Sequence, residues 1–325
     1  MRRESRHQRD RCRTMTRIVA PTGFGGPEVL ALTESDTARP GPGEVRITVR
    51  AIGVNPIDWK LYSGGFGDSP HLLGVSGSEA AGVVDAIGDG VDGWTVGDDV
   101  IVYPIDGNAY ADHLVVPASS LTAKPGALPF ELAAAVAVVG GTSTQAVEAV
   151  HVVEGETVLV HGAAGGVGSL TVQLARRRGV RVIGTASAGN HEFLRSLGVE
   201  PVEYGPGLAD RVRALAPGGV DAAIDTVGSD EALETSTELV PDRRRIVTIA
   251  ALQRAGELGI TAIGGGPGAD PGTEIRRASV AVVAALVADG AVTIPVARTY
   301  PLTETAQAHR DSRGGHTRGK IVVVT

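Results

Sequence analysis

Three glycines set three residues apart, Gly162, Gly165 and Gly168, stand in the run Thr157-Val-Leu-Val-His-Gly-Ala-Ala-Gly-Gly-Val-Gly-Ser169. An apolar stretch breaks into glycine, and Leu170, Val172, Leu174 and Ala175 follow at helical spacing. That reads as strand, tight turn, helix. Glycine suits a turn of positive φ and lets backbone approach a pyrophosphate with no Cβ in the way. The helix that opens there offers unpaired N–H groups and the positive end of its dipole to phosphate. Gly162, Ala163, Gly165, Gly166, Val167 and Gly168 are the expected cradle. Their spacing is looser than G-x-G-x-x-G, so the glycines alone say little. The continuation says more, because Val180-Arg-Val-Ile-Gly-Thr185 supplies a second strand beyond a helix of the right length. A βαβ unit of this kind binds a dinucleotide.

The end of the second strand selects the nucleotide. An NAD site puts Asp or Glu there for the ribose 2′-hydroxyl, and this chain has Thr185-Ala-Ser-Ala188. A carboxylate would repel a 2′-phosphate, so its absence permits one. Ser187, Asn190 and His191 are expected to hydrogen-bond it, and NADPH is expected over NADH. Thr226, Val227, Ile249 and Ala250 follow later strands and would line the ribose and ring. Gly264 and Gly265 open a glycine-rich loop that either approaches the cofactor with bare backbone or is simply mobile.

The rest of the chain must hold these groups. Residues 16–125 read as all-β, with short alternating runs between Gly/Pro/Asp turns. From Pro129 the period becomes helical, with Gly140-Gly141 expected to interrupt it. Strands and helices then alternate as in a parallel, doubly wound sheet. Leu258–Ile263 is a candidate extra strand, Glu274–Ala288 a helix, and the ending Ile321–Val324 returns to β to close the first domain.

The 325 residues, 42% of them hydrophobic, suffice for two domains. A formal charge of −7 argues against a nucleic-acid surface. The single cysteine, Cys12, rules out a disulfide within one chain. No apolar run is long enough for a membrane span, and Arg2–Arg13 lacks the apolar core of a secretory signal. The expectation is a cytoplasmic protein with a disordered leader over residues 1–14.

Ala51-Ile-Gly-Val-Asn-Pro-Ile-Asp58, Gly77-Ser-Glu-Ala-Ala-Gly82, Gly97-Asp-Asp-Val100, the glycine run and Gly315-His-Thr-Arg-Gly-Lys-Ile-Val-Val323 resemble the medium-chain dehydrogenase/reductase superfamily. Within it the chain resembles the zinc-independent quinone oxidoreductase and enoyl reductase branch, from about Thr16 to its last residue. The resemblance implies an α/β protein. A discontinuous GroES-like β-barrel catalytic domain (15–125 and 269–325) would join a doubly wound Rossmann cofactor domain (126–268). It implies a homodimer paired along Leu258–Ile263, and a small apolar quinone or enone as substrate. Thr142 matches a threonine near the nicotinamide, and Tyr204 a tyrosine near the adenosine phosphate. Relatives often carry a lysine where Asn190 and His191 stand, and Arg195 is a candidate replacement. Zinc-dependent relatives place Cys at Asn55 and His at Ser78. An amide and a hydroxyl are poor zinc ligands, so no zinc is expected.

Related enoyl reductases often follow the Asn-Pro-x-Asp motif with a proton-donating tyrosine, where this chain has Phe66. Tyr62, with Lys60 and Asp58 nearby, is either a substitute or a packing residue. Asn55 is expected to orient substrate or the nicotinamide ribose. Trp59, Tyr62, Phe66 and Tyr103 form either an apolar wall of the cleft or part of the core. Quinones, whose reduced anion water can protonate, fit the loss of the phenol. A dedicated biosynthetic enoyl reductase and a low-turnover NADPH-binding redox sensor are the alternatives.

Overall fold

A computed structural model describes residues 14–315 and 317–325. The leader up to Arg13, Cys12 with it, lies outside those residues.

The first elements are strands whose alternate residues turn inward. β1 (Met15–Pro21) and β2 (Leu30–Asp36) form a separate antiparallel ribbon. β3 (Glu44–Val54) buries Val45, Ile47 and Val49 and turns Arg50 outward, the period of a half-buried strand. From Ala51 to Asn55 every residue is buried, because other elements cover both faces there.

α1 (Pro56–Tyr62) corrects the all-β reading. Pro56 stands at its first turn, and Asn55 and Asp58 reciprocate: the Asn55 N–H donates to Asp58 Oδ2 (2.8 Å) and the Asp58 N–H to Asn55 O (3.0 Å). β4 (Ala80–Ile87), β5 (Asp99–Val102), β6 (His113–Pro117) and β7 (Leu121–Ala123) follow.

After the short α2 (Phe130–Ala133), α3 (Ala137–Ala149) runs unbroken through Gly140-Gly141, against expectation. The glycines thin one helix face rather than end the helix. A Cβ on Gly140 would stand 3.2 Å from Val283 Cβ, and one on Gly141 3.0 Å from Arg276 Cβ. A later helix uses that thinness to approach.

The β/α half alternates as its pattern foretells: β8 (Thr157–His161), α4 (Gly166–Arg176), β9 (Arg181–Ala186), α5 (His191–Ser196), β10 (Glu200–Glu203), α6 (Leu208–Leu215), β11 (Ala222–Asp225), α7 (Asp230–Leu239) and β12 (Ile246–Thr248). α8 (Ala255–Leu258) and β13 (Thr261–Ala262) take up the stretch expected to be one long strand, leaving two residues of ladder. The six strands are parallel in the order β10-β9-β8-β11-β12-β13. The order reverses between β8 and β11, which puts a ligand crevice at their carboxyl ends.

α9 (Thr273–Ala288) is the helix that lies on the glycines of α3. β14 (Val296–Pro301), α10 (Thr305–Arg313) and β15 (Lys320–Val324) bring the chain back, with β15 antiparallel to β3 in the sheet β14-β15-β3-β4-β5-β7. One core cluster joins Ala51, Ala81, Ile101 and Val322 of that sheet to Val139, Leu170, Val280 and Val283 of the helices. The two halves therefore meet through apolar packing. No helix among the described residues is long and apolar enough to cross a membrane.

Candidate functional site

The turn after β8 needs its glycines. Gly162 has φ +70°, and a Cβ there would lie 2.6 Å from Val227 Cγ2. One on Gly168 would lie 2.1 Å from Gly162 O, so only glycine lets α4 start so close to the turn. The turn is tied to β9: Gly162 N donates to Thr185 Oγ1 (3.1 Å) and Ala163 N to Thr185 O (3.0 Å). No side chain caps α4, and Gly165, Gly166 and Val167 are half-buried at its start. Backbone donors and a helix dipole thus meet at a half-buried turn beside Gly319 and the Lys320 stem, an arrangement suited to a pyrophosphate.

The residues expected around a 2′-phosphate come together. Asn190 Nδ2 donates to Ser187 Oγ (3.1 Å), and the His191 ring lies 3.4 Å from Ala186 O. β10 pairs Glu203 with Ala186, and the next residue of each strand leaves the ladder: Tyr204, which is exposed, and Ser187. Arg195 has no side-chain hydrogen bond to this loop among the described residues. Arg318 has: Nε donates to Asn190 Oδ1 (2.7 Å) and one terminal nitrogen to Gly189 O (3.0 Å).

Loops from the remaining strands complete the edge. Asp225, wholly buried, accepts from the N–H groups of Val227 and Gly228 (both 2.9 Å) and from Thr248 Oγ1 (2.7 Å). Thr248 Oγ1 in turn accepts from Ala250 N (3.2 Å). One carboxylate thereby sets both the Thr226–Gly228 and the Ile249–Ala250 turns. Thr226 Oγ1 is committed to His161 O (2.7 Å). Gly264 donates to Asp270 O (2.9 Å), which also accepts from Gln145 Nε2 (3.0 Å), so the Gly264–Gly268 loop is fastened at its neck. Thr142 is buried in α3, next to Ser143, whose hydroxyl donates to Val167 O (3.0 Å).

His161 sits under the turn, with Nε2 3.0 Å from Ser236 Oγ. Ser236 gives its own proton to Ala232 O (2.7 Å), so the imidazole is the donor and carries its proton on Nε2. Burial pushes its pKa down to about 4, which keeps it neutral.

Beside the glycine turn, with the Lys320 stem against Gly166, a buried polar knot joins β3, β15 and the segment leading into β4. Lys320 Nζ donates to Val54 O (3.0 Å), Asn55 Oδ1 (2.5 Å) and Glu79 Oε1 (2.9 Å). Glu79 also accepts from Asn55 Nδ2 (2.9 Å) and, through Oε2, from Val138 N (2.7 Å). Both ions are almost wholly buried, and every ammonium proton has an acceptor. Gly53 makes room: its Cβ would stand 2.3 Å from both Glu79 Oε1 and Ala134 O. Asn55 spends both amide protons on Glu79 and Gly53, which leaves a lone pair on Oδ1 as its open position.

Sequence reading missed Glu79, Lys320 and Asp225 as functional groups. Each is an ionisable residue beside or within an apolar strand, where burial demands a partner, and that was the available signal.

Tyr62 is fully buried, its hydroxyl 2.7 Å from His309 Nδ1 and its ring stacked on that imidazole. Burial raises its pKa. Phe66 is exposed on the loop after α1. Trp59 Nε1 donates to Ser312 of α10 (3.2 Å), and Tyr103 packs in the core shared by the two halves. The four aromatics are thus dispersed: Tyr62 and Tyr103 pack inward, Trp59 reaches α10, and Phe66 stays exposed. Asp58 accepts from Tyr110 Oη (2.8 Å), and burial lifts its pKa to about 6.

The donor set does not fit zinc. Asn55 already faces an ammonium, Ser78 Oγ points at Asp58 Oδ1 (3.4 Å), and among the described residues no three His, Cys, Asp or Glu converge.

Comparison with known proteins identifies the family. Residues 41–127 match the family described as alcohol dehydrogenase GroES-like domain, and residues 197–323 match zinc-binding dehydrogenase. Quinone oxidoreductase of Pseudomonas aeruginosa is 34% identical, covering 95% of this chain and 100% of its own. The mouse quinone oxidoreductase is 30% identical, covering 95% and 98%. The crystal structure of Escherichia coli quinone oxidoreductase complexed with NADPH superposes with a TM-score of 0.85 at 28% identity, covering 95% and 100%.

Proposed function

Because the chain belongs to the medium-chain dehydrogenase/reductase superfamily, among its quinone oxidoreductases, we propose that it is a zinc-independent, NADPH-dependent reductase of quinones or α,β-unsaturated carbonyls. Membership makes it an oxidoreductase; the nucleotide and the acceptor are the proposal. The observation that carries it is the end of β9, where Ser187 and Asn190 stand in place of a carboxylate beside the glycine turn at the start of α4.

When bound, NADPH supplies a hydride from its nicotinamide. The chain's own residues bind and orient. Gly162–Gly168 receive the pyrophosphate, and Ser187, Asn190, His191 and Tyr204 the 2′-phosphate. Thr142, Thr226, Val227, Ile249, Ala250, Gly264 and Gly265 edge the ribose and ring. Asn55, fixed by Glu79 and Lys320, sets the opposite wall.

Tyr62 keeps its hydroxyl on His309 and Phe66 has none, so water supplies the proton that completes reduction. That favours acceptors whose reduced anion is stable, quinones first. A homodimer joined along the β13 edge and the division into residues 15–125 with 269–325 and 126–268 belong to the same proposal.

The test mixes purified protein with NADPH, and separately NADH, and follows reduced-nicotinamide absorbance with ortho- and para-quinones, short enones and a 2-enoyl thioester. Oxidation by a quinone or enone, faster with NADPH, is the expected result. Binding of NADPH without turnover of any acceptor would overturn the reductase reading in favour of a binding or sensing role.

A further inference from the structure

The loop from Ser187 to Phe193 contains no lysine or arginine, yet a cation reaches it from 128 residues away in the chain. Arg318 is brought there by the segment before β15, which lies across the glycine turn: Gly319 N donates to Ala164 O (3.2 Å), and Gly319 bridges Gly165. The guanidinium is held by Asn190 Oδ1, Gly189 O and the Phe193 ring, whose centroid lies 5.3 Å from its central carbon. No hydrogen bond among the described residues uses its other terminal nitrogen. The chain Arg318–Asn190–Ser187 also leaves the Ser187 hydroxyl accepting from Asn190, so its proton is free to be given away.

We propose that Arg318 is the residue that recognises the nucleotide 2′-phosphate, entering the adenosine site from the C-terminal strap instead of from the loop after β9. The inference rests on the dinucleotide reading above. A planar guanidinium fixed on two sides presents its remaining N–H edge to a phosphate without further ordering. A merely structural Arg318 would staple the strap and affect every nucleotide alike.

Binding of 2′,5′-ADP, ADP, NADPH and NADH to the full chain separates these accounts. Calorimetry would serve for the diphosphates and nicotinamide fluorescence for the dinucleotides. R318A is expected to weaken 2′,5′-ADP and NADPH roughly 10- to 100-fold, the range for a lost charged hydrogen bond, with ADP and NADH unchanged. R318K should fall between. Equal weakening of all four ligands, or an unchanged NADPH-to-NADH ratio in R318A, overturns the assignment. If R318A does not fold, R318Q, which keeps a stem and an amide for Asn190, reads the same ratio. A wild-type protein that binds NADH as tightly as NADPH overturns the cofactor reading itself, and is seen before any variant is made.

Discussion

Tyr62 holds the one phenol in the segment where a proton donor was sought, and His309 takes it out of play. Tyr62→Phe therefore removes a buried hydrogen bond and no chemistry. It should cost about 1–2 kcal/mol by denaturant unfolding and leave kcat with a quinone unchanged; a large fall in kcat would return Tyr62 to the reaction. Phe66 is the complementary case. Its loop is exposed, so Phe66→Tyr adds a hydroxyl without disturbing packing. Enone reduction is expected to rise by about tenfold or more in kcat/KM, toward the usual worth of a positioned acid, with quinone reduction unaltered. Equal changes for both acceptors would mean that residue 66 does not reach the reacting carbonyl.

Where β15 and β4 flank β3 in one sheet, single atoms decide whether the elements can meet. Gly53→Ala would press a methyl against Ala134 O and Glu79 Oε1 at 2.3 Å. A loss of about 1–3 kcal/mol or more is expected, as for other overpacked sites. Lys320→Met leaves Glu79 as a buried charge without its counter-ion and should cost roughly 3–5 kcal/mol; a melting temperature equal to wild type would show that water reaches Glu79. The strands themselves were legible, since the alternation of Val45, Ile47 and Val49 and the apolar run at Val158–Val160 follow from local pattern. So was the glycine turn, where each residue answers to its immediate neighbours. The knot was not. Lys320 and Glu79 are brought together only by the sheet, and local pattern carries no record of a partner 241 residues away. Gly140-Gly141 misled for a related reason, because a glycine pair that breaks a solitary helix instead thins one that another helix must touch.

At the scale of the molecule, two buried imidazoles among the described residues resist protonation. Burial holds His161 and His309 at about 4, against 6.5 when free. Between those values the unfolded chain binds protons that the folded one does not, so stability falls as pH drops from 6.5 toward 4. Asp58 opposes them. Its value rises from 3.8 to about 6, so it loses stability as pH rises through that window. Two groups against one leave a net loss on acidification, and thermal melts near pH 7 and about pH 4.5 should show it. His309→Phe is expected to flatten the slope. A melting temperature that climbs on acidification would mean the imidazoles are wet in solution. The pairing of β15 with β3 also bears on how the protein is made. Glu79 is synthesised long before the lysine that neutralises it, and closing so large a loop is entropically slow. Until β15 arrives, Glu79 has to stay hydrated and its sheet open, exposing apolar edges to other chains. The sheet built on β3 is complete only when β15, whose Lys320 is made 266 residues after Val54, pairs with it.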